Sequence, residues 1–151
     1  MESKNEVLNH LLVVVFNQIL SIEEKSLKKG PFNNLTLSEL HVIEAIGFDT
    51  VQPMSTIAAK LHITMGTLTI SMTNLVKKGY VSRVRSDEDR RVVLICLSEL
   101  GQRAFQHHES FHEEMIEYTM SALDGSERDT LIKALSKVTT YFNKKYLDQG
   151  L

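Results

Sequence analysis

Residues 64–98 read TMGTLTISMTNLVKKGYVSRVRSDEDRRVVLICLS, and this stretch decides the fold. It opens on a threonine able to cap a helix. Leu68, Met72, Leu75 and Val76 follow at helical spacing, which makes them the core face of a helix running to Lys78, closed by Gly79. The period then changes. Two short β-prone runs, 80–85 and 92–97, bracket the polar loop 86–91, which spells a β-hairpin.

Working upstream, His62-Ile63 makes a brief turn, and before it lies a short helix opened by Pro53 as its first residue, with Ile57, Ala58 and Leu61 inward. Thr36-Leu37-Ser38-Glu39 is a capping box that starts another helix, with Leu40, Ile43 and Ile46 inward and Gly47 at its end. Over 5–29, Leu8, Leu11, Leu12, Val15, Phe16, Ile19, Leu20 and Leu27 keep helical spacing, and Val13 and Val14 widen the band. Lys28 and Lys29 suit the negative end of that helix, and Gly30-Pro31 stops it. A helix apolar around most of its girth must be covered on more than one side, and a partner subunit is the expected second cover.

Downstream, Ser98-Glu99 begins a long helix with Ala104, Phe105, His108, Phe111, Met115 and Leu123 at three-to-four spacing, broken at Gly125-Ser126. A last amphipathic helix carries Leu131, Leu135, Val138, Phe142 and Tyr146 on one side. The expected fold class is mainly α: a winged helix-turn-helix over about 36–98, with dimerisation helices over about 5–29 and 99–147, all in one domain of 1–151.

At 151 residues, 42% hydrophobic and 24% charged, the chain has the composition of one globular domain, which excludes disorder and collagen-like repeats. A single cysteine, Cys96, excludes a disulfide framework and any multi-cysteine zinc module. The longest unbroken apolar run, 11–16, is far short of a membrane span, and the opening Met1-Glu2-Ser3-Lys4 has no secretory character, so a cytoplasmic protein without membrane contact is expected. The net charge of −2 hides a division. Residues 52–98 hold seven Lys/Arg against three acids, Asp87, Glu88 and Asp89, while the remainder is acidic. Such asymmetry suggests one face built for a polyanion.

Two short helices joined by a tight turn and followed by a hairpin suit DNA for a geometric reason. The second helix enters the major groove with its N-terminal residues at base edges, while the first lies across the backbone. Thr64, Met65, Gly66, Thr67, Thr69, Ile70, Thr73 and Asn74 are the candidates for that approach, with Ser55 on the preceding helix. Lys77 and Lys78 are placed for phosphate, where the helix's positive end also helps. Arg83, Arg85, Arg90 and Arg91 arm the hairpin, and an arginine at a loop tip can enter a narrow minor groove. The acids at the same tip should repel DNA, and the simplest reason for Asp89 is to pair with a neighbouring arginine and aim it. The bland readings stand beside these: a threonine-rich helix is often only solvated, and a basic hairpin only a protected edge.

The order and spacing of Ile57-Ala58-Ala59-Lys60-Leu61, Gly66-Thr67-Leu68-Thr69, residues 74–83 and above all 89–101 resemble the MarR family of bacterial transcription regulators across nearly the whole chain. The last stretch matches that family's wing signature: Asp-x-Arg, alternating apolar residues, a closing Leu-Ser and a downstream Gly. Within the family the chain is similar in particular to FabT-type repressors of fatty-acid synthesis genes, through 21–27, Gly66-Thr67-Leu68-Thr69, Asn74-Leu75, Arg83-Val84-Arg85-Ser86 and 89–93. The resemblance implies a homodimeric repressor of a near-palindromic operator, with long-chain acyl-acyl carrier protein as co-repressor. Many members carry arginine at the position of Ile70. The departure here favours apolar contact with a thymine methyl in an A·T-rich operator.

A fatty acyl chain needs a long apolar slot, for which Leu12, Val15, Phe16, Ile19, Leu40, Ile43, Phe105, His108, Phe111 and Met115 are candidates; a filled core plus dimer seam explains the same residues. Lys25, Lys28 and Lys29 are candidate cations for an acidic carrier protein, against the plainer reading of solvated helix-end lysines. A second hypothesis is a zinc-responsive regulator. His108 and His112 stand at i, i+4 on one helix face, a geometry able to bind Zn²⁺, and zinc-sensing relatives use similarly placed histidines, with His41 and Glu24 as companions here. Those relatives add a thiolate near the end of the first helix, where this chain has none. Enzyme chemistry is disfavoured: there is no His-Glu-x-x-His, no glycine-rich phosphate loop and no nucleophile elbow, and Cys96 sits mid-strand in an apolar run.

Overall fold

The computed structural model describes residues 2–148, so the expected domain 1–151 extends beyond them at both ends. The chain groups into two compact units, the first ending at Phe111 and the second starting at His112.

In the first unit, α1 (Lys4–Lys29), α2 (Leu37–Ile46), α3 (Met54–Leu61) and α4 (Met65–Lys77) precede the hairpin of β2 (Val81–Arg85) and β3 (Val93–Leu97), and β1 (Gln52–Pro53) lies between α2 and α3. The antiparallel sheet has the order β1-β3-β2, with Val81 opposite Leu97, Arg83 opposite Ile95 and Arg85 opposite Val93. The core sits where three helices meet the sheet: Ile43 and Ile46 from α2, Ile57 from α3, Leu68, Met72 and Leu75 from α4 and Ile95 from β3 are fully enclosed. Their spacing places each on the inner face of its element. Val76 breaks the expectation. It is exposed, because the inner stripe of α4 passes from Met72 to Leu75 and leaves Val76 to one side.

Capping fixes the helix starts. Ser3 with Glu6 and Thr36 with Glu39 each form reciprocal capping boxes. Thr64 caps α4 by accepting the Thr67 amide. The turn between α3 and α4 needs a left-handed residue, supplied by His62 at φ 52°. Pro53 is not the first helical residue but the N-cap of α3, and it closes the edge strand β1, paired with Leu94. Proline is tolerated there because an edge strand can forgo one amide donor.

α5 (Glu99–Ser121) starts in the first unit and continues into the second. Ser98 pins its start: the Ser98 hydroxyl donates to the Gly79 carbonyl at 2.6 Å and accepts the Gly101 amide at 3.1 Å, while the Ser98 amide donates to the Tyr80 carbonyl. The rest of the second unit is α6 (Gly125–Phe142), entered through an Asp124/Glu127 capping box, and a π-helical turn, Asn143–Leu147. No α6 residue is buried; Leu135, Val138 and Phe142 are exposed.

α1 is also mostly uncovered. Among its residues only Glu23 and Leu27 are buried, whereas Leu8, Leu11, Leu12, Val15 and Phe16 stand exposed. By length and composition α1 meets the requirement for crossing a membrane, with mean hydropathy 1.2 over 18 residues. Counting only the unbroken run 11–16 misses this, because isolated polar residues interrupt the run without lowering the average far.

Candidate nucleic-acid interface

α4 is anchored by Leu68, Met72 and Leu75, which turns Met65, Gly66, Thr67, Thr69, Ile70, Thr73, Asn74 and Lys77 outward, all exposed. Ser55 is exposed in the first turn of α3. A Cβ built on Gly66 would meet nothing nearer than the Thr64 hydroxyl at 3.9 Å, so packing does not demand glycine there. Its missing side chain leaves the entrance of α4 open to close approach.

The threonine hydroxyls are already engaged. Thr69 donates to the Met65 carbonyl at 2.7 Å and Thr73 to the Thr69 carbonyl at 2.8 Å. Arg83 on β2 donates through Nη2 to the Thr73 hydroxyl at 3.1 Å, which ties the hairpin to the middle of α4. Arg85 crosses the hairpin to the Arg90 carbonyl at 3.0 Å. Asp89 pairs with Arg91 as anticipated: the Arg91 Nε and Nη2 groups reach its two carboxylate oxygens at 3.2 and 3.3 Å, and the Arg91 amide donates to the first at 3.0 Å. The Arg91 guanidinium, then its amide, hold the Asp89 carboxyl below its ordinary value. The fork fixes the direction of a guanidinium that is otherwise fully in solvent.

Lys78 does not join this surface. Its ammonium lies 2.7 Å from the buried Glu39 carboxylate and 2.6 Å from the Asn34 carbonyl, pointing into the fold instead of toward phosphate. One residue before it, Lys77 is still on the outer face. The Tyr80 hydroxyl donates to the Asn34 side-chain oxygen at 2.6 Å, and burial pushes its phenol above the ordinary value.

The expected acyl slot is not assembled in the first unit. Leu12, Val15, Phe16 and Ile19 are exposed, and Ile43 is sealed in the core. Phe105 packs on that core with its ring 6.1 Å from Phe48. Leu40, His108 and Phe111 do line one cleft, together with Glu23, Leu27 and His107, but its free space of about 20 Å³ holds roughly one water. Met115 belongs to the second unit and is half-buried.

Beside that cleft lies a polar cluster. The Glu23 carboxylate is buried and faces two imidazoles, His41 Nε2 at 3.1 Å and His108 Nε2 at 3.2 Å; Glu44 lies 3.6 Å from His108. Glu24, the expected companion, instead pairs with Lys28 at 2.9 Å on the outside of α1. Spacing could have separated them. Leu20, Glu23 and Leu27 fall on one helical stripe, and Glu24 stands four residues before a lysine. Both imidazoles lie within hydrogen-bond distance of the one Glu23 oxygen, and their ring centroids stand 6.4 Å apart. His112 is half-buried, one turn beyond His108 on α5.

The model of the transcriptional regulator SarA/Rot family matches residues 25–108. The crystal structure of Streptococcus pneumoniae FabT in complex with DNA superposes with a TM-score of 0.90 at 33% identity, covering 93% of this chain and 99% of that one. YpoP of Bacillus subtilis, an HTH-type transcriptional regulator, is 30% identical over 131 residues, 85% of this chain and 88% of its own length. Wild-type MarR from E. coli shares the fold at a TM-score of 0.67 and 24% identity, covering 87% of this chain and 95% of that one.

Proposed function

The chain belongs to the SarA/Rot and MarR-type winged-helix transcriptional regulators, and from that premise we propose that it is a homodimeric, DNA-binding repressor of fatty-acid synthesis genes with long-chain acyl-acyl carrier protein as its co-repressor. The family is one of regulators, not enzymes. The observation that carries the reading is the near-complete superposition on FabT, a protein seen bound to DNA. The basic hairpin and the outward face of α4 supply the matching chemistry. Two copies related by a two-fold axis set two recognition helices about one helical turn, roughly 34–36 Å, apart on a near-palindrome. Bound there, the dimer represses by occluding the promoter.

Acyl-carrier protein acts by favouring the spacing that fits DNA, because a ligand shifts an equilibrium only through differential affinity for its two states. A long acyl chain needs a few hundred Å³, so it must widen the cleft beside Leu40 and Phe111 or lie along the apolar face of α1. The buried Glu23 carboxylate beside His108 favours a second reading, a zinc-responsive regulator in which the i, i+4 pair His108 and His112 on α5 holds the ion.

The two are separated by a gel shift on a lipid-synthesis promoter, run with the chain alone, with long-chain acyl-acyl carrier protein, and with zinc or chelator. Tighter binding with the acylated carrier and indifference to chelator is expected. A shift that depends on zinc and ignores the carrier would replace the first reading by the second.

A further inference from the structure

We infer that Ile70 makes α4 a reader of thymine methyl groups, the hydroxyls beside it serving as acceptors only; this rests on the DNA-binding reading above. Ile70 is 68% exposed, the most exposed large aliphatic side chain among the described residues, and it occupies the middle of the face that α4 turns away from the core. Nothing in the fold gains from an isoleucine there. Gly66 lies one turn before it with no side chain, so the apolar group stands clear of its own helix.

The flanking polar groups sharpen the selection. The Thr69 and Thr73 protons go to the carbonyls of Met65 and Thr69, and Thr73 also accepts from Arg83. What these hydroxyls can still offer a base edge is a lone pair. In the major groove guanine shows two acceptors, N7 and O6, and no donor, whereas adenine adds an amino donor to its N7 acceptor and thymine a methyl group to its O4 acceptor. A methyl-contacting side chain flanked by acceptors meets the thymine methyl and the adenine amino group on an A·T pair, while guanine offers such a face no donor. Cytosine also presents an amino donor, so the methyl is what distinguishes thymine from cytosine on this surface. Asn74, exposed and one turn after Ile70, adds an amide of the kind that pairs with adenine.

The test uses deoxyuridine, which differs from thymidine only by the missing methyl. A duplex is selected from a random-sequence pool by the full-length protein at about 50 mM salt, where phosphate contacts are strong. Its thymines are then replaced one at a time, and affinities are measured for the wild type, Ile70→Val and Ile70→Ala. At one or more positions per half-site the wild type should lose about fourfold, the worth of one buried methyl. Ile70→Val should retain part of that ratio, and Ile70→Ala should bring it to about one. Equal wild-type affinity for all thymine and deoxyuridine duplexes overturns the inference and leaves DNA binding standing. So does an undiminished ratio in Ile70→Ala. If no duplex is selected, DNA binding itself fails and the inference with it.

Discussion

Two adjacent lysines at the end of α4 have opposite occupations. Lys77 faces out, while Lys78 folds back to the buried carboxylate of Glu39. Removing Lys78 leaves that carboxylate without its cation, so Lys78→Met should lower stability by about 2–3 kcal/mol, the low end for a buried pair because the lysine is partly solvated. Denaturant unfolding checks this. Lys77→Ala should leave the unfolding curve alone and reduce the salt dependence of DNA binding by about one phosphate contact. If the two variants exchange phenotypes, the assignment of these lysines is reversed. Sequence could not distinguish them. Both sit in a helix's last turn beside a glycine, and what separates them is Glu39, some forty residues upstream.

At the scale of elements, the junction of β3 with α5 is held by one glycine. A Cβ on Gly101 would run into the Tyr80 carbonyl, the group that also accepts the Ser98 amide. Gly101→Ala should therefore push α5 away from the end of the α4–β2 turn. It should lower the melting temperature by several degrees, an overpacking penalty of about 1–3 kcal/mol; an unchanged melting curve would mean the helix start yields freely. The elements themselves were legible because their signals are local: the Thr36/Glu39 box, the cap at Thr64 and the switch from helical to alternating period after Gly79 all lie within a few residues. β1 was not legible. Two residues have no period, and Gln52-Pro53 becomes a strand only because Leu94 and Ile95 lie alongside. The Asp124/Glu127 box was readable by the same rule as Thr36/Glu39, although Gly125-Ser126 within it looks like a simple break.

For the whole molecule, the open question of cover concerns α1. Its exposed apolar side chains need shielding from water, and a second copy of the chain supplies it in the proposed repressor. Phe16, 62% exposed, can change without disturbing the core. Phe16→Glu should shift sedimentation toward the 17.2 kDa monomer and abolish binding to a two-half-site duplex, with helicity retained. A dimer that survives this change would place the seam elsewhere. The outward face of α4 and the basic hairpin were the more readable surface, since exposed threonines and arginines declare themselves by residue type and position. The residues expected to line an acyl slot were less so: a core residue such as Ile43 and an uncovered one such as Phe16 obey the same helical spacing, and only the packed structure divides them.

The fork between Asp89 and Arg91 has a consequence for how quickly the protein finds its target. Residues 86–91 hold three acids against two arginines, so the tip of the wing exerts no net pull on a distant polyanion. In the proposed repressor, capture from solution falls to Lys77, Arg83 and Arg85 nearer the body. The tip acts only once contact is made, and there its arginine arrives already aimed, with less rotational freedom to surrender. In that reading the wing governs residence time on DNA more than the rate of encounter.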